Sequence, residues 1–488
     1  MNNEKIYNNL ILNPQEESGI FGIYSNDDNF DVTKNTFAAL YALQHRGQQS
    51  CGLAINKNGE FTCHKDVGTV AEFLHNKDVD FLGNGKIALA HLSYSNDSTA
   101  TYSETRAFAQ PLVMRYIKGN LALSHNGSIT NFVALHKSLE QGGAIFQSNS
   151  NAELIAYVIA SKRARTLTIE DAVINAAKEL EGAFSIVLSS TSKLIGVRDK
   201  NGFRPLCIGK LDNNYLLSSE SCVFDSLGGE FLRDVKPGEV VMIDEKGLHS
   251  FMYEENFKDT SVCMFEYVYI ARPDSVIDGM PVNVVRRKIG ANLAKVNTVK
   301  ADVVCGVPDS GTTAALEFSR ISGIPFEMAI IKNKYVRRNM PDLVKSDADK
   351  MLKVKLNVLK FAIYGKSVIV IDDSIVKGQT AKHIVDLLKS AGAKEVHMKI
   401  SSPRMMFNCH FGVDVKNDNK LINNDMSVDD ICKIIGADSL EFVSLDDFRE
   451  VAQGINIGCC DGCFSGEYKA TLPTEGFVDK FSKKIMWI

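Results

Sequence analysis

The sequence has no long apolar run and no surplus of basic residues. Its 488 residues include 55 Lys and Arg against 59 Asp and Glu, which gives a net charge of −4. This balance argues against nucleic acid as the main partner. No apolar stretch approaches the ~18 residues that span a bilayer, and "MNNEKIYNNLILNPQEE" lacks the basic flank and apolar centre of a secretion signal. We therefore expect a protein of the cytoplasm that does not enter a membrane.

The chain also lacks a paired set of cysteines, because their number, 11, is odd. An odd number in a chain of this size does not indicate a disulfide framework, and a reducing compartment is the better interpretation. The apolar content of 45% and the charged content of 23% are typical of a soluble globular protein. A chain of 488 residues is too long for one compact core, so we expect two domains.

The pattern of apolar residues changes near the middle of the chain. Residues 18–245 give mostly short strand-like runs, such as "KIALAHLSY" and "AFSIVLSS", which predict a layered α+β domain. From about residue 260 strand and helix alternate, and this predicts a parallel sheet covered by helices. We divide the chain into a leader-like segment 1–17, a first domain 18–245, a second domain 246–470 and a tail 471–488.

The sharpest local signal is "KSVIVIDDSIVKGQTAKHIVDLLKSAGA", residues 366–393. Its apolar run predicts a buried central strand, and a short polar turn then leads into an amphipathic helix. A phosphate binds well at such a helix N-terminus, because free backbone N–H groups and the helix dipole converge there. Asp372 and Asp373 at the strand end suit ribose hydroxyls or a magnesium ion, and Gly378 allows the backbone close to a ligand. The alternative is that the two acids merely end a strand.

Motifs in both halves of the chain resemble one family. "VIVIDDSIVKGQT" is similar to the phosphoribosyl pyrophosphate loop of type I phosphoribosyltransferases. "GIFGIY", "LQHRGQQSCGLA", "LSHNGSITN", "NGFRPLCIG", "EYVYIARPDSVIDG", "GVPDS" and "KNKYV" follow in the order of the amidophosphoribosyltransferase family. The resemblance covers roughly residues 18–470.

The resemblance implies the fold and the reaction. The first domain would be a type 2 glutamine amidotransferase with the αββα sandwich of Ntn hydrolases, and the second a doubly wound, mainly parallel α/β phosphoribosyltransferase domain. Ammonia from glutamine would pass internally to the second domain. There it would displace pyrophosphate from C1 of the sugar and give 5-phosphoribosylamine for purine synthesis or a specialised purine-analogue pathway.

The same resemblance assigns roles in the second domain. Asp372 and Asp373 would hold ribose hydroxyls and Mg²⁺, with Ser310 at the remaining magnesium position and Lys332 facing the pyrophosphate. The 5′-phosphate would be held by Ser374, Ile375, Val376, Lys377, Gly378, Gln379 and Thr380. The chain departs from the family pattern at "RRNMPDLVKSD", residues 337–347, where Pro341 would alter the closing loop. Arg337 and Arg338 there would either reach pyrophosphate or form a solvated charge pair.

The motif "GCCDGCFSG" is ambiguous by itself, since a CxxC pair serves zinc, redox chemistry or an iron–sulfur cluster. One branch of the family carries a structural 4Fe–4S cluster. The matching residues here are Cys263, Cys409, Cys460 and Cys463. We interpret the remaining cysteines as packing residues.

The predicted glutaminase site departs from the family at three positions. The family nucleophile is a cysteine at the start of the processed chain, with its α-amino group as base, whereas this chain has Ser18. Ser93 replaces the arginine that holds the α-carboxylate of glutamine, and Asn151 replaces the aspartate that holds the α-ammonium. The oxyanion pair, Asn126 and Gly127, is retained. The site is therefore either decayed or adapted to a different amide donor.

Together these features predict an amidophosphoribosyltransferase-like enzyme with an impaired glutaminase. Its partners would be phosphoribosyl pyrophosphate, purine nucleotides and an ammonia-supplying protein, in a homo-oligomer that the family pattern suggests is a tetramer. The alternatives are a non-catalytic scaffold paralogue in a purine-analogue pathway and a regulatory nucleotide-binding protein.

Overall fold

The computed structural model describes residues 17–75, 79–94, 102–255, 260–334, 354–413, 421–422 and 426–473. The leader-like segment up to residue 16, the loop with Arg337, Arg338 and Pro341, and the tail beyond residue 473 lie outside these ranges.

The first domain contains two antiparallel sheets. Its strands are β1 (Glu17–Tyr24), β2 (Ser50–Lys57), β3 (Glu60–Val67), β4 (Ile87–Tyr94), β5 (Leu112–Tyr116), β6 (Gly119–Ile129), β7 (Gly182–Ser189), β8 (Leu194–Arg198), β9 (Cys207–Leu211), β10 (Asn214–Ser218), β11 (Glu230–Asp234), β12 (Glu239–Asp244) and β13 (Gly247–Met252). A seven-stranded sheet has the order β11-β9-β10-β1-β4-β2-β3, and a six-stranded sheet the order β13-β12-β8-β7-β6-β5. Strand β7 is buried along its whole length because it is covered on both faces.

Helices cover the outer face of each sheet. They are α1 (Val32–Leu43), α2 (Val70–His75), α3 (Tyr102–Phe108), α4 (Phe132–Gln141), α5 (Asn151–Arg163), α6 (Ile169–Glu179) and α7 (Cys222–Leu227), with 3-10 turns at Gln44–Arg46 and Val79–Leu82. Strand β1 shows how the layers form, because its side chains alternate between the two faces. Phe21 and Ile23 pack under α1 and α7, whereas Ile20 packs between the sheets. Helices α5 and α6 cover the second sheet, which completes the predicted αββα sandwich.

The second domain is built on a parallel sheet. Its strands are β14 (Val262–Cys263), β15 (Val276–Ile277), β16 (Met280–Pro281), β17 (Val303–Gly306), β18 (Ile330–Lys332), β19 (Leu356–Val358), β20 (Ser367–Asp372), β21 (Glu395–Ile400), β22 (Ser439–Phe442) and β23 (Cys459–Cys460). Its helices are α8 (Val282–Lys295), α9 (Ser310–Ser322), α10 (Lys360–Ile363), α11 (Gln379–Ser390), α12 (Val428–Ile435), α13 (Leu445–Ala452) and α14 (Gly462–Ser465), with a π turn at Glu266–Ile270.

The four-stranded sheet has the order β17-β20-β21-β22, and all its pairs are parallel. Helices α8 and α9 pack on Ile369 and Ile371, and α11 and α12 pack on Val368 and Val370. The predicted central strand is thus β20, buried on both faces. The fold class predicted from the sequence is confirmed in both domains.

One apolar core crosses the boundary between the domains. It joins Ala183 and Phe203 of the first domain to α8, α9 and the C-terminal segments. The rings of Phe203 and Phe411 stack with centroids 4.4 Å apart and an interplanar angle of 9°. No helix within the described ranges has the length and apolar character needed to cross a bilayer.

Candidate functional site

The strand–turn–helix unit of the second domain ends in a compact acidic corner. Asp372 is the last residue of β20 and is buried, and its Oδ1 accepts a hydrogen bond from the backbone N–H of Asp373 at 2.9 Å. The Ser374 hydroxyl donates to Asp373 Oδ1 at 2.8 Å. The turn residues Ser374 to Gly378 then lead into α11, whose first two residues are Gln379 and Thr380.

The N-terminus of α11 is available to an anion. Gly378 is its N-cap in the left-handed region (φ 75°), and within the described structure no side chain caps the first turn. A Cβ at Gly378 would lie 2.8 Å from Ile422 Cδ1. The first-turn N–H groups have no partners within the helix, so the turn presents the donors that a phosphate requires.

Ser310 lies beside the acidic corner because α9 packs closely on β20. A Cβ at Gly311 would stand 2.2 Å from the carbonyl oxygen of Ile371, so only glycine allows this approach. The Ser310 hydroxyl donates to Asp373 Oδ2 at 2.5 Å. The structure thus brings together three predicted ligands from two helix–strand units.

The acidic corner favours a bound cation. Burial, and then the charge of Asp373, raise the pKa of Asp372 well above its usual value. Burial also raises the pKa of Asp373, against hydrogen bonds from Ser310 and Ser374. Two crowded carboxyl groups resist carrying two negative charges, and a divalent cation with oxygen preference relieves this repulsion. The donor set therefore fits magnesium.

Lys332 lies at the end of β18, and its ammonium group pairs with Asp309 at 2.7 Å. Asp309 precedes Ser310 at the start of α9. Both side chains are well exposed, at 46% for Lys332 and 70% for Asp309, so the pair contributes little to stability. The predicted pyrophosphate lysine is thus next to the acidic corner.

In the first domain, Ser18 lies within β1 and is completely buried. Its direct partner in the ladder with β4 is Ser93, and Ser93 in turn pairs with Ser50 of β2. The sequence predicted that Ser18 and Ser93 share a site, and the structure makes them neighbours. Ser50 was not predicted, because only the strand register brings it into the same row.

Asn126 of β6 contacts this row, and Gly127 is the next residue of the strand. The backbone N–H of Ser18 donates to Asn126 Oδ1 at 3.1 Å. Gly127 has φ 131°, and a Cβ there would stand 2.2 Å from the carbonyl oxygen of Ala183. Of the predicted oxyanion pair, Asn126 therefore contacts Ser18, and Gly127 has no room for a larger residue.

Asn151 is the first residue of α5 and is fully buried. Its Oδ1 accepts a hydrogen bond from the backbone N–H of Ile129 at 3.3 Å, at the end of β6. Asn151 is thus oriented by β6, the strand that carries Asn126 and Gly127. Its side chain is a neutral amide and carries no charge.

Sequence reasoning missed a buried ionic network behind Ser18. Arg46 donates through Nε to the Ser18 carbonyl oxygen at 3.0 Å, pairs with Glu220 at 2.6 Å and binds both carboxylate oxygens of Glu266 at 2.9 Å. Arg204 also pairs with Glu266, at 3.0 Å. Arg46 belongs to "LQHRGQQ", but its partners are 174 and 220 residues away, beyond the reach of any local pattern.

The four predicted cluster cysteines come from three segments that meet. Cys263 and Cys460 are paired in the parallel ladder of β14 and β23, and Cys463 follows in α14. Cys409 Sγ accepts hydrogen bonds from the backbone N–H groups of Phe411 and Val413, at 3.4 Å each. Burial, and then the charges of the neighbouring cysteines, raise the pKa of Cys463 well above its usual value.

None of the cysteines in the described part of the chain forms a disulfide. In the part of the chain that the structure describes, no group of three or more His, Cys, Asp or Glu side chains is arranged to hold a metal ion. The cysteines thus lie on segments that meet, but their side chains as placed do not form a metal site.

The chain joins an αββα sandwich to a parallel sheet that ends in a paired-acid turn, and its domains belong to the glutamine amidotransferase and phosphoribosyltransferase classes. A glutamine amidotransferase domain model matches residues 98–226, and a phosphoribosyl transferase domain model matches residues 284–402.

The relatives are more specific. The chain is 38% identical to the amidophosphoribosyltransferase of Bacillus subtilis over 472 residues, which covers 95% of each protein. It is 37% identical to that of Archaeoglobus fulgidus, covering 94% of this chain and 99% of the relative. The solved B. subtilis glutamine phosphoribosylpyrophosphate amidotransferase complexed with ADP and GMP matches with a TM-score of 0.85 and 36% identity, over 94% of this chain and 99% of that one. The chain belongs to the amidophosphoribosyltransferase family, a family of phosphoribosyltransferases.

Proposed function

We propose that the protein transfers ammonia to C1 of phosphoribosyl pyrophosphate. The nitrogen lone pair forms the C1–N bond as the C1–O bond breaks, pyrophosphate leaves, and the nitrogen loses a proton to give 5-phosphoribosylamine. The observation that carries the proposal is the corner of Asp372, Asp373 and Ser310 beside the uncapped start of α11. In the proposal, this corner would combine a cation site with an adjacent phosphate site.

Asp372, Asp373 and Ser310 would hold the magnesium ion, which supplies positive charge to the leaving pyrophosphate when bound. The residues Ser374 to Thr380 would hold the 5′-phosphate through backbone N–H groups and hydroxyls. Lys332 would exchange Asp309 for the pyrophosphate, since its present ion pair is exposed and weak. The same site would bind purine nucleotides, in keeping with the ADP and GMP of the related B. subtilis structure.

The glutaminase of the first domain is impaired under this proposal. The Ser18 hydroxyl is buried, and in the described structure the Ser18 nitrogen is a peptide N–H that donates to Asn126 Oδ1 and cannot act as the base. Ser93 and Asn151 provide no counter-charges for the two charged groups of glutamine. Ammonia would therefore come from solution or from a partner protein within a homo-oligomeric assembly.

We further propose a structural 4Fe–4S cluster on Cys263, Cys409, Cys460 and Cys463, whose segments meet although their side chains as placed do not form a metal site. Four thiolates bind this type of cluster, and hydrogen bonds to Cys409 Sγ would stabilise its thiolate form. The cluster would tie the C-terminal segment to the segments of Cys263 and Cys409.

The experiment measures phosphoribosylamine formation with ammonia and, separately, with glutamine. We expect Mg²⁺-dependent product with ammonia only, and loss of both product and phosphoribosyl pyrophosphate binding in the Asp372→Asn, Asp373→Asn double variant. The matched control is Asp386→Asn on the exposed side of α11, which should behave as the unaltered protein.

Binding of phosphoribosyl pyrophosphate without any product from ammonia would favour the scaffold alternative instead. Absence of binding in calorimetry would contradict the transferase assignment.

A further inference from the structure

The hairpin of β15 and β16 carries a two-residue turn into the boundary between the domains. Ile277 pairs with Met280, so the two residues between them form the turn. These are Asp278 and Gly279, with φ angles of 47° and 78°. Aspartate followed by glycine suits such a turn, because both positions need positive φ. The Asp278 side chain is buried and contacts the first domain, so the turn brings a carboxylate of the second domain against the first.

Arg198 of β8 binds this carboxylate from the first domain, and its guanidinium has no donor left. Its two terminal nitrogens donate to the two carboxylate oxygens of Asp278, at 2.7 and 2.8 Å. Its three other N–H groups donate to carbonyl oxygens at 2.9, 2.8 and 2.7 Å, those of Arg204, Val235 and Gly202. A guanidinium has five N–H donors, so each of them has an acceptor. A second carboxyl group beside Asp278 therefore receives no hydrogen bond from Arg198.

Asp234, the last residue of β11, supplies that second carboxyl group. The backbone N–H groups of Gly279 and Asp278 favour its charged form, whereas the carboxylate of Asp278 opposes it. Burial, and then the charge of Asp278, raise the pKa of Asp234 from its usual 3.8 to about 7, against the attraction of Arg198. Two carboxyl groups that share one cation resist the second ionisation. The pair thus holds a proton at pH values where an isolated aspartate is ionised.

The other titratable groups that face this pair supply no balancing positive charge. Cys207 lies directly opposite Asp234 on β9, and Tyr267 of the π turn is close to both aspartates. Burial, and then the nearby carboxylates, raise the pKa of both side chains, so they stay neutral at neutral pH. Asp199 is held by backbone N–H groups, and burial raises its pKa to about 6. Its ionisation adds a further negative charge near Arg198.

We propose that Asp234 and Asp278 form a pH-sensitive latch between the two domains. While the pair holds its proton, Asp278 binds Arg198 and the hairpin turn lies against Asp234. When the proton passes to water, two negative charges face one guanidinium whose donors are all in use, and the turn separates from the first domain more often. The hairpin leads directly into α8, which packs on the parallel sheet. The latch therefore links pH to the attachment of the second domain, independently of the chemistry at either site.

Hydrogen–deuterium exchange of the full-length protein, followed by mass spectrometry, measures opening of the hairpin. Peptides that contain Val276–Pro281 are compared from about pH 5 to pH 8, with each rate divided by the intrinsic exchange rate. The closed pair binds a proton that the opened pair does not bind. The stability of the closed hairpin is therefore full below about pH 3.8, falls as the pH rises to about 7, and is constant above it. The opening constant should thus rise roughly tenfold per pH unit up to about pH 7 and then level off.

Asp234→Asn has nearly the same size but no proton to lose, so the tenfold steps should disappear. The matched control is Asp225→Asn in α7, whose exposed side chain lies outside the latch, and it should keep the pH dependence of the unaltered protein. Circular dichroism verifies that each variant folds. An opening constant of the unaltered protein that does not change with pH would overturn the proposal without any variant. The same pH dependence in Asp234→Asn would also overturn it and would assign the effect to Asp199.

Discussion

At the scale of single residues, the proposed loss of glutamine hydrolysis depends on three positions of the first domain, Ser18, Ser93 and Asn151. Asn126 still binds the Ser18 N–H, and Gly127 keeps its left-handed conformation against Ala183. Under the proposed function, Ser18, Ser93 and Asn151 stand where the family pattern has a thiol, a guanidinium and a carboxylate. Binding and chemistry at this site can therefore be restored separately by substitution.

The first prediction concerns these three positions. Ser18→Cys alone should hydrolyse glutamine negligibly, because both charged groups of the substrate still lack partners. Each lost charge-assisted hydrogen bond costs about 1.5–3 kcal/mol, and about 1.4 kcal/mol is tenfold in affinity, so the two losses weaken glutamine binding about a thousandfold. The triple variant with Ser93→Arg and Asn151→Asp should recover part of the activity, measured as glutamate release.

Processing must be followed in the same experiment, since the free α-amine of residue 18 is the base. Mass spectrometry shows whether residues 1–17 are removed in each variant. Glutamine hydrolysis by the unaltered protein that disappears in Ser18→Ala would contradict the prediction and identify Ser18 as a working nucleophile.

At the scale of secondary-structure elements, the acidic corner depends on how closely α9 approaches β20. The approach is set by Gly311, whose Cα has no space for a side chain beside Ile371. Gly306 is similarly close to Gly311, because a Cβ there would lie 2.7 Å from the Gly311 carbonyl carbon. Ser310 reaches Asp373 only because these backbones are in contact.

The second prediction tests this contact. Gly311→Ala should push the start of α9 away from β20 and separate Ser310 from Asp373. Displacement of a positioned group by about 1 Å costs about 10²-fold in rate, so ammonia-dependent product formation should fall by that factor while the protein remains folded. The measurement is steady-state kinetics with circular dichroism, and Leu316→Ala, on the exposed side of α9, is the control. Unchanged kinetics in Gly311→Ala would show that the contact is not required.

These elements also show which parts of the fold and of the site could be predicted from the sequence. Strand β20 and helix α11 were predictable because a continuous apolar run is followed by a polar turn and then by apolar residues at helical spacing. The αββα layers and the grouping of Ser18, Ser93 and Asn126 followed from family motifs. The position of Ser50 depends on strand register, and the Arg46–Glu266 pair depends on packing between segments 220 residues apart. Neither leaves a local pattern in the chain.

At the scale of the whole molecule, buried charges join the two domains. Arg46 and Arg204 of the first domain share Glu266 of the second, and Arg198 binds both oxygens of Asp278, at 2.7 and 2.8 Å. A buried ion pair is costly to break, since one partner is then left as an unpaired charge. The interface is therefore expected to respond to pH through its carboxylates.

The third prediction concerns Glu220. Burial alone would raise the pKa of Glu220, but His45 and Arg46 hold it well below its usual value of 4.5. A lowered carboxyl pKa contributes stability that is present above the unfolded value and is lost as the pH falls below it. Glu220→Gln should therefore reduce the free energy of unfolding by about 3–5 kcal/mol at neutral pH.

The difference between Glu220→Gln and the unaltered protein should shrink as the pH falls below about 4.5, because the unfolded chain then binds a proton at Glu220 while the folded protein still holds this carboxylate charged. Urea unfolding across this pH range measures it. The matched control is Glu140→Gln, at the exposed end of α4. A difference that stays constant with pH would show that Glu220 acts through packing and not through its charge.

The fourth prediction concerns the cluster. The Cys409–Val413 loop connects a proposed cluster ligand to the first domain, because Phe411 stacks on Phe203 and a Cβ at Gly412 would lie 3.0 Å from Gly127 Cα. Anaerobically purified protein should be brown and hold about four irons per chain, as a 4Fe–4S cluster with four cysteine ligands requires. Cys460→Ser should lose the iron and lower the thermal unfolding midpoint, since the loop that packs on Phe203 is no longer tied to β23. Cys459→Ser, at the adjacent position, should keep both iron and midpoint. Colourless protein with bound zinc, or full iron content in Cys460→Ser, would contradict the assignment and leave these cysteines as packing residues of the interface.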